Sequence, residues 1–155
     1  MDLLERVALV TGAGRRVGRA IALRLAEAGC RVAIHYRTSE ADALAVVTEC
    51  RSYGVDAIAL QADLSDAAAT VSLAARVESH FGRLDVLVNN ASEFELMPLD
   101  AFSLDAWDRT LRVNLTAPMI LAHAASAALR RGGGRIINLC DISTARRWPD
   151  HLAYM

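Results

Sequence analysis

Residues 11–20, TGAGRRVGRA, bring together the groups best suited to holding a charged ligand. Gly12, Gly14 and Gly18 permit a tight turn running into a helix, and Arg15, Arg16 and Arg19 fall in that helix's first turn. The amino end of a helix already presents unpaired N–H groups and about half a positive charge, so acidic residues are favoured there. Three cations at such a place imply an anion close by. A glycine turn between a first strand and a first helix lets the backbone approach a pyrophosphate, which rests on the helix N-terminus. The spacing here is TGxGxxxG, with Val17 where the GxGxxG fingerprint has glycine. The expected phosphate cradle is Gly12, Arg15, Arg16, Val17 and Gly18; the alternative is an ordinary turn with solvated arginines.

The segment His35, Tyr36, Arg37, Thr38 and Ser39 carries no acid before Glu40. An NAD site has a carboxylate here to accept hydrogen bonds from the ribose hydroxyls. A carboxylate would repel a 2′-phosphate, whereas arginine binds one as a charged fork. Arg37, helped by Arg15, therefore predicts NADP(H). Farther along, Pro118 lacks the N–H that would bond the carbonyl of Asn114, and its ring pushes that carbonyl aside. A helix running through both residues should kink and expose the Asn114 carbonyl oxygen.

The elements that must position these residues alternate in type. Apolar runs at 6–11, 31–36, 55–60, 84–90 and 135–140 read as strands, separated by alanine-rich helical stretches. Val17, Ile21, Leu25 and Ala28 form the expected inner face of the first helix, which stops at Gly29. Later helices are expected from Ser39 to Tyr53, from Ser65 or Asp66 to about Phe81, and over roughly 104 to 131. Strands apolar throughout, joined by helices, indicate a Rossmann-type doubly wound α/β fold: a parallel sheet with helices on both faces. Ligands then bind at the carboxyl ends of the strands. Residues 1–155 are expected to form a single domain, with no linker, repeat or low-complexity segment; with no helix to close it after DHLAYM, a fragment of a longer chain is expected.

Composition narrows the classes further. The net charge is −1, which gives no support for a general nucleic-acid or membrane surface. Cys30, Cys50 and Cys140 are odd in number and widely spaced, which points to buried free thiols in a cytoplasmic protein and not to a metal site. The amino terminus resembles neither a signal peptide nor a membrane span.

Five motifs together resemble the short-chain dehydrogenase/reductase family along the whole chain. They are TGAGRRVG, ADL at 62–64, NNAS at 89–92, VNLTAP at 113–118 and a late Tyr154. The resemblance implies cofactor contacts from Ala62, Asp63, Leu64, Asn90, Ala91 and Ser92, with Asn89 structural. It assigns Tyr154 and Asn114 to catalysis, the Asn114 carbonyl holding a water in a proton relay. Within the family the pattern is similar to the pteridine reductases, which replace the usual glycine by arginine at the position of Arg16. They also carry Ser92 and Phe94 after the asparagines, and an aspartate, here Asp141, thirteen residues before the tyrosine. HYRTS is similar to their NADPH-phosphate segment.

That resemblance implies NADPH-dependent hydride transfer to a small pterin-like substrate held by Arg16, Ser92, Phe94, Asp141 and Tyr154. A pterin C=N bond needs a proton on nitrogen, which an Asp141–Tyr154 relay would supply. Taken singly, Asp141 also fits a turn cap and Phe94 also fits loop packing. The family's YxxxK lysine would follow Met155, so the 155 residues alone are expected to be a poor catalyst; the full-length form is expected to be a homotetramer. The competing readings are a general carbonyl or 3-oxoacyl-type reductase and a non-catalytic NADP-binding module.

Overall fold

Parallel strands with helices on both sides must present apolar side chains to two faces, and the strand runs of this sequence do so. The computed structural model describes residues 3–141 and 150–154. The elements are β1 (Val7–Val10), α1 (Arg16–Glu27), β2 (Arg31–Tyr36), α2 (Glu40–Ser52), β3 (Ala57–Gln61), α3 (Ala67–Phe81) and β4 (Val86–Asn89). Then come α4 (Leu104–Leu111), a π-helical turn (Arg112–Thr116), α5 (Ala117–Gly132) and β5 (Arg135–Asn138). The sheet is parallel with order β3-β2-β1-β4-β5. Strand order reverses beside β1, and this switch point is where an open α/β sheet leaves a crevice for ligand.

Each face of the sheet has its own core. Val7, Leu9, Leu73, Val77, Leu87, Leu121 and Leu129 pack on the side covered by α3 and α5. Ala8, Val10, Ala22, Ala26, Ile34 and Val46 pack on the side of α1 and α2. Two expectations need correction. The inner face of α1 is Gly18, Ala22 and Ala26, one residue later than the Val17–Ile21–Leu25 stripe, and Val17 is 57% exposed. Small residues let the helix lie close on the strands, and the larger side chains then flank the contact. The expectation that every strand is buried fails at β5, an edge strand whose four residues are all exposed.

Asp85 anchors the lower edge of the sheet from a fully buried position. Its carboxylate accepts from Val7 N (2.9 Å), from Arg6 Nη1 (2.9 Å) and from Arg83 Nε and Nη2 (2.7 Å each). Burial pushes this carboxyl up, but the Arg83 fork, the Val7 N–H and Arg6 outweigh it and hold its pKa below the ordinary value. The long helical stretch is interrupted by the π-helical turn, which ends just before Pro118, the residue whose missing N–H is expected to disturb the helix. Among the described residues, no helix is long and apolar enough to cross a membrane.

Candidate functional site

At the carboxyl ends of β1, β2 and β4 lies an open cleft of about 750 Å³. Its floor is the glycine turn. Gly12 has φ +62, a conformation that glycine adopts without strain, and a Cβ there would lie 3.0 Å from the Ala91 Cα. Thr11 Oγ1 accepts from Asn90 N (2.9 Å) and Ala91 N (3.0 Å), and Asn90 Nδ2 donates to Thr11 O at 2.8 Å. These bonds lock the end of β4 to the end of β1.

His35 holds the turn from below. The Gly12 N–H donates to His35 Nδ1 (3.1 Å), so the imidazole carries its proton on Nε2 and donates to Ala62 O (3.2 Å). Burial lowers the His35 pKa to about 4 against the opposing bond to Ala62, so the ring is neutral at pH 7. Gly18 sets how closely α1 meets this floor. A Cβ there would collide with Gly12 O and stand 2.5 Å from Asn90 Nδ2 and 3.0 Å from Ala13 Cα. Two of these neighbours are backbone atoms, and the Asn90 amide is held by its bond to Thr11 O. Gly18→Ala should therefore cost about 1–3 kcal/mol, the usual penalty of overpacking; an unchanged melting temperature would show that the turn tolerates the methyl group.

The crowded arginines differ in their protein partners. Arg15 pairs with Asp42 and Arg19 with Glu49, both acids on α2. Arg16 makes no ion pair among the described residues, lines the cleft and has φ +50. This is the left-handed region, costly for any residue bearing a Cβ and concentrated at functional sites.

Toward β2 the cleft is bounded by a charged cluster. The Arg37 guanidinium, at the end of β2, pairs with Glu93 Oε1. The same oxygen takes Arg109 Nη2 at 3.0 Å, and Arg109 Nη1 reaches Ser65 Oγ (2.9 Å) and Asp63 Oδ2 (3.4 Å). Burial would raise the Asp63 carboxyl, but the Ser65 N–H and hydroxyl and the Arg109 guanidinium bring it below its ordinary value. Asn114 acts one step behind the cleft: its Oδ1 accepts from Glu93 N and its Nδ2 donates to Glu93 O, each at 2.8 Å.

At the opposite end, Tyr154 OH donates to Asp141 Oδ2 at 3.0 Å. Burial, then the hydrogen bond to Asp141 and the Asp141 charge, raise the Tyr154 pKa, while a hydrogen bond with Ser92 opposes them. Tyr154 therefore keeps its proton at neutral pH. Phe94 and Tyr154 meet in a T-shaped contact (centroids 4.7 Å apart, planes at 80°), while His151 stacks on the face of Phe94 at 3.9 Å and 14°. The face assigned to a flat substrate is thus shared with His151, whose Nδ1 hydrogen-bonds Glu95 O at 2.8 Å.

Most of the residues singled out in the sequence line this one cleft: Gly12, Arg15, Arg16, Val17, Gly18, His35, Arg37, Asp63, Leu64, Asn90, Ala91, Ser92, Phe94, Asp141 and Tyr154. Four do not. The Tyr36 ring is buried and its hydroxyl donates to Glu40 Oε1 (3.2 Å). Thr38 is exposed beyond the rim. Ala62 is buried with its carbonyl taken by His35, and Asn114 braces Glu93. Asn89 Nδ2 donates to Asn138 Oδ1 at 2.8 Å, joining β4 to β5. Cys30 and Cys50 are buried with thiols pushed up, mainly by burial, to about 12 and about 11; Cys140, expected to be buried, is exposed. Glu93, Glu95, Arg109 and Val113 line the cleft without having been singled out. The acid in NNASE (89–93) was the available signal for Glu93.

Comparison with known proteins agrees with this geometry. A family model described as short chain dehydrogenase matches residues 6–155. Versicolorin reductase 1 of Aspergillus parasiticus is 38% identical over 149 residues, which are 96% of this chain and 57% of that protein. The 3-oxoacyl-[acyl-carrier-protein] reductase FabG of Staphylococcus aureus is 40% identical over 153 residues, 98% of this chain and 62% of that protein. A short chain dehydrogenase from Burkholderia cenocepacia, solved in complex with NADP, superposes with a TM-score of 0.93 at 41% identity. That match covers 99% of this chain and 62% of the solved one, so the chain spans less than two thirds of the length of these relatives.

Proposed function

This chain belongs to the short chain dehydrogenase family, and on that footing we propose that it is the cofactor-binding part of an NADPH-dependent reductase acting on a pterin-like heterocycle. The fit of the cofactor rests on this chain's own residues. Gly12 and Gly18 leave a floor that a Cβ would obstruct, Arg16 faces the cleft without an acidic partner among the described residues, and Arg37 adds to the cleft wall a guanidinium suited to a 2′-phosphate. NADPH, when bound, supplies a hydride.

The observation that carries the substrate reading is the Tyr154–Asp141 hydrogen bond. A ketone reductase of this family has serine at the position of Asp141, where a hydroxyl can donate to an oxyanion. A carboxylate can only accept. It suits a substrate that offers N–H groups, and it keeps the proton on Tyr154 so that the phenol can serve as an acid toward a ring nitrogen. Arg16 contributes a cation at the same cleft. Arg16→Gly should remove the left-handed strain and raise stability by about 1 kcal/mol, while lowering pterin turnover more than NADPH binding. Equal losses in both would remove Arg16 from the substrate site.

A second reading, reduction of a carbonyl group, is favoured by the names of the similar proteins, which include a versicolorin reductase and a 3-oxoacyl-[acyl-carrier-protein] reductase. Side-by-side assays decide between the two. NADPH oxidation with a dihydropterin and none with a 3-oxoacyl thioester or aromatic ketone supports the first; the reverse pattern establishes the second.

A further inference from the structure

Arg37 is the residue on which NADP(H) recognition rests, yet its guanidinium is already engaged by Glu93. The two come from strands that are not neighbours. Arg37 follows β2 and Glu93 follows β4, and β1 lies between those strands in the sheet. The ion pair therefore reaches across the carboxyl end of β1, at the crevice where a dinucleotide would lie. Its members are unequally held. The Glu93 side chain is 13% exposed, its main chain is fixed by both amide atoms of Asn114, and its Oε1 also takes Arg109. Arg37 is 46% exposed and ends on a flexible stem, so Arg37 is the partner that can leave.

We propose that Glu93 is a coenzyme-specificity residue, which competes with the ligand's 2′-phosphate for Arg37. The inference rests on the NADPH reading above and deepens it. A phosphate with its dianionic charge and three acceptor oxygens can take the guanidinium from a single carboxylate; a neutral ribose hydroxyl cannot. With NADH the Arg37–Glu93 pair stays closed and contributes nothing to binding. With NADPH part of the phosphate's attraction is spent on opening it, so Glu93 weakens the bound state and favours release of the phosphorylated coenzyme. Glu93 remains paired with Arg109 when Arg37 leaves, so no enclosed carboxylate is stranded.

The test measures binding, by direct titration of the protein with NADPH and NADH in wild type, Glu93→Gln, Arg37→Gln and the double variant. Glutamine keeps the size of Glu93 and its backbone bonds to Asn114. Glu93→Gln should tighten NADPH by about tenfold, within the usual range for coupled sites, and leave NADH within about twofold. The gain should vanish when Arg37→Gln is added. Weaker NADPH binding in Glu93→Gln would mean that Glu93 prepositions Arg37, and a gain that survives in the double variant would mean direct charge repulsion; either overturns the competition. Wild type that binds NADH as tightly as NADPH would instead overturn the cofactor reading itself.

Discussion

Tyr154→Phe should reduce turnover by about 10²- to 10⁴-fold, the usual value of a positioned proton donor, with NADPH binding nearly unchanged. Phenylalanine keeps the ring that packs T-shaped against Phe94 and removes only the hydroxyl bonded to Asp141. The paired variant Asp141→Asn separates the proton's source from its control. The hydrogen bond to Asp141 and its charge hold the Tyr154 pKa up, so removing the charge should lower it. The acid form is needed for reduction, and the alkaline limb of the rate profile should therefore move to lower pH in Asp141→Asn. A profile that stays in place, with turnover merely reduced, would make Asp141 a substrate contact with no control over the phenol. Both variants are to be compared in the full-length reductase proposed here, with coenzyme binding as the control for folding.

Asp85→Ala should destabilise the fold by about 3–5 kcal/mol, the cost of removing one member of a buried pair, and by more than any change at the cleft rim. The substitution leaves Val7 N unsatisfied at the start of the central strand and frees the Arg6 and Arg83 guanidinia. Those arginines are 29% and 42% exposed and can rehydrate, which places the expected loss near 3 kcal/mol. Chemical denaturation of wild type and variant gives the difference directly; a loss under about 1 kcal/mol would show that solvent replaces the carboxylate. Gly132 depends on the same acid, since a Cβ there would collide with Asp85 Oδ1.

The same residues set the response to acid. The folded His35 has a pKa of about 4, below the ordinary value of 6.5. Its unfolded form takes a proton first, so stability should fall as pH drops from about 6.5 toward 4. Asp85 is depressed below its ordinary value, and its contribution is present above about 4 and lost as pH falls through the folded value. Wild type should therefore lose stability in two successive stages. Asp85→Ala should retain the His35 stage and lose the Asp85 contribution to the second.

Much of this site could be read along the chain because its parts are local. The glycine turn, the runs that became β1 and β2 and the cap at Asp66 each depend on neighbours a few residues away, and they form where expected. The inner face of α1 was misplaced because periodicity favours large apolar residues. The sheet selects Gly18, Ala22 and Ala26 instead, since close approach of helix to strand rewards small ones. Tyr36 lies outside the cleft lining although its neighbours His35 and Arg37 belong to it, because successive strand residues point to opposite faces.

By itself the sequence determined the doubly wound α/β order of elements, the phosphate-turn chemistry and the presence of an acid thirteen residues before Tyr154. Tertiary structure alone decided which charges meet. No acid lies near Arg37 before Glu40, yet Glu93, 56 residues away, reaches it across β1. Arg15 and Arg19 pair with acids on α2, whereas Arg16 lines the cleft with no ion pair among the described residues. His151 comes to rest on Phe94 from beyond Asp141. Electrostatic pairing acts through distance in space, which strand order and helix placement set, and spacing along the chain carries no record of it until the sheet has formed.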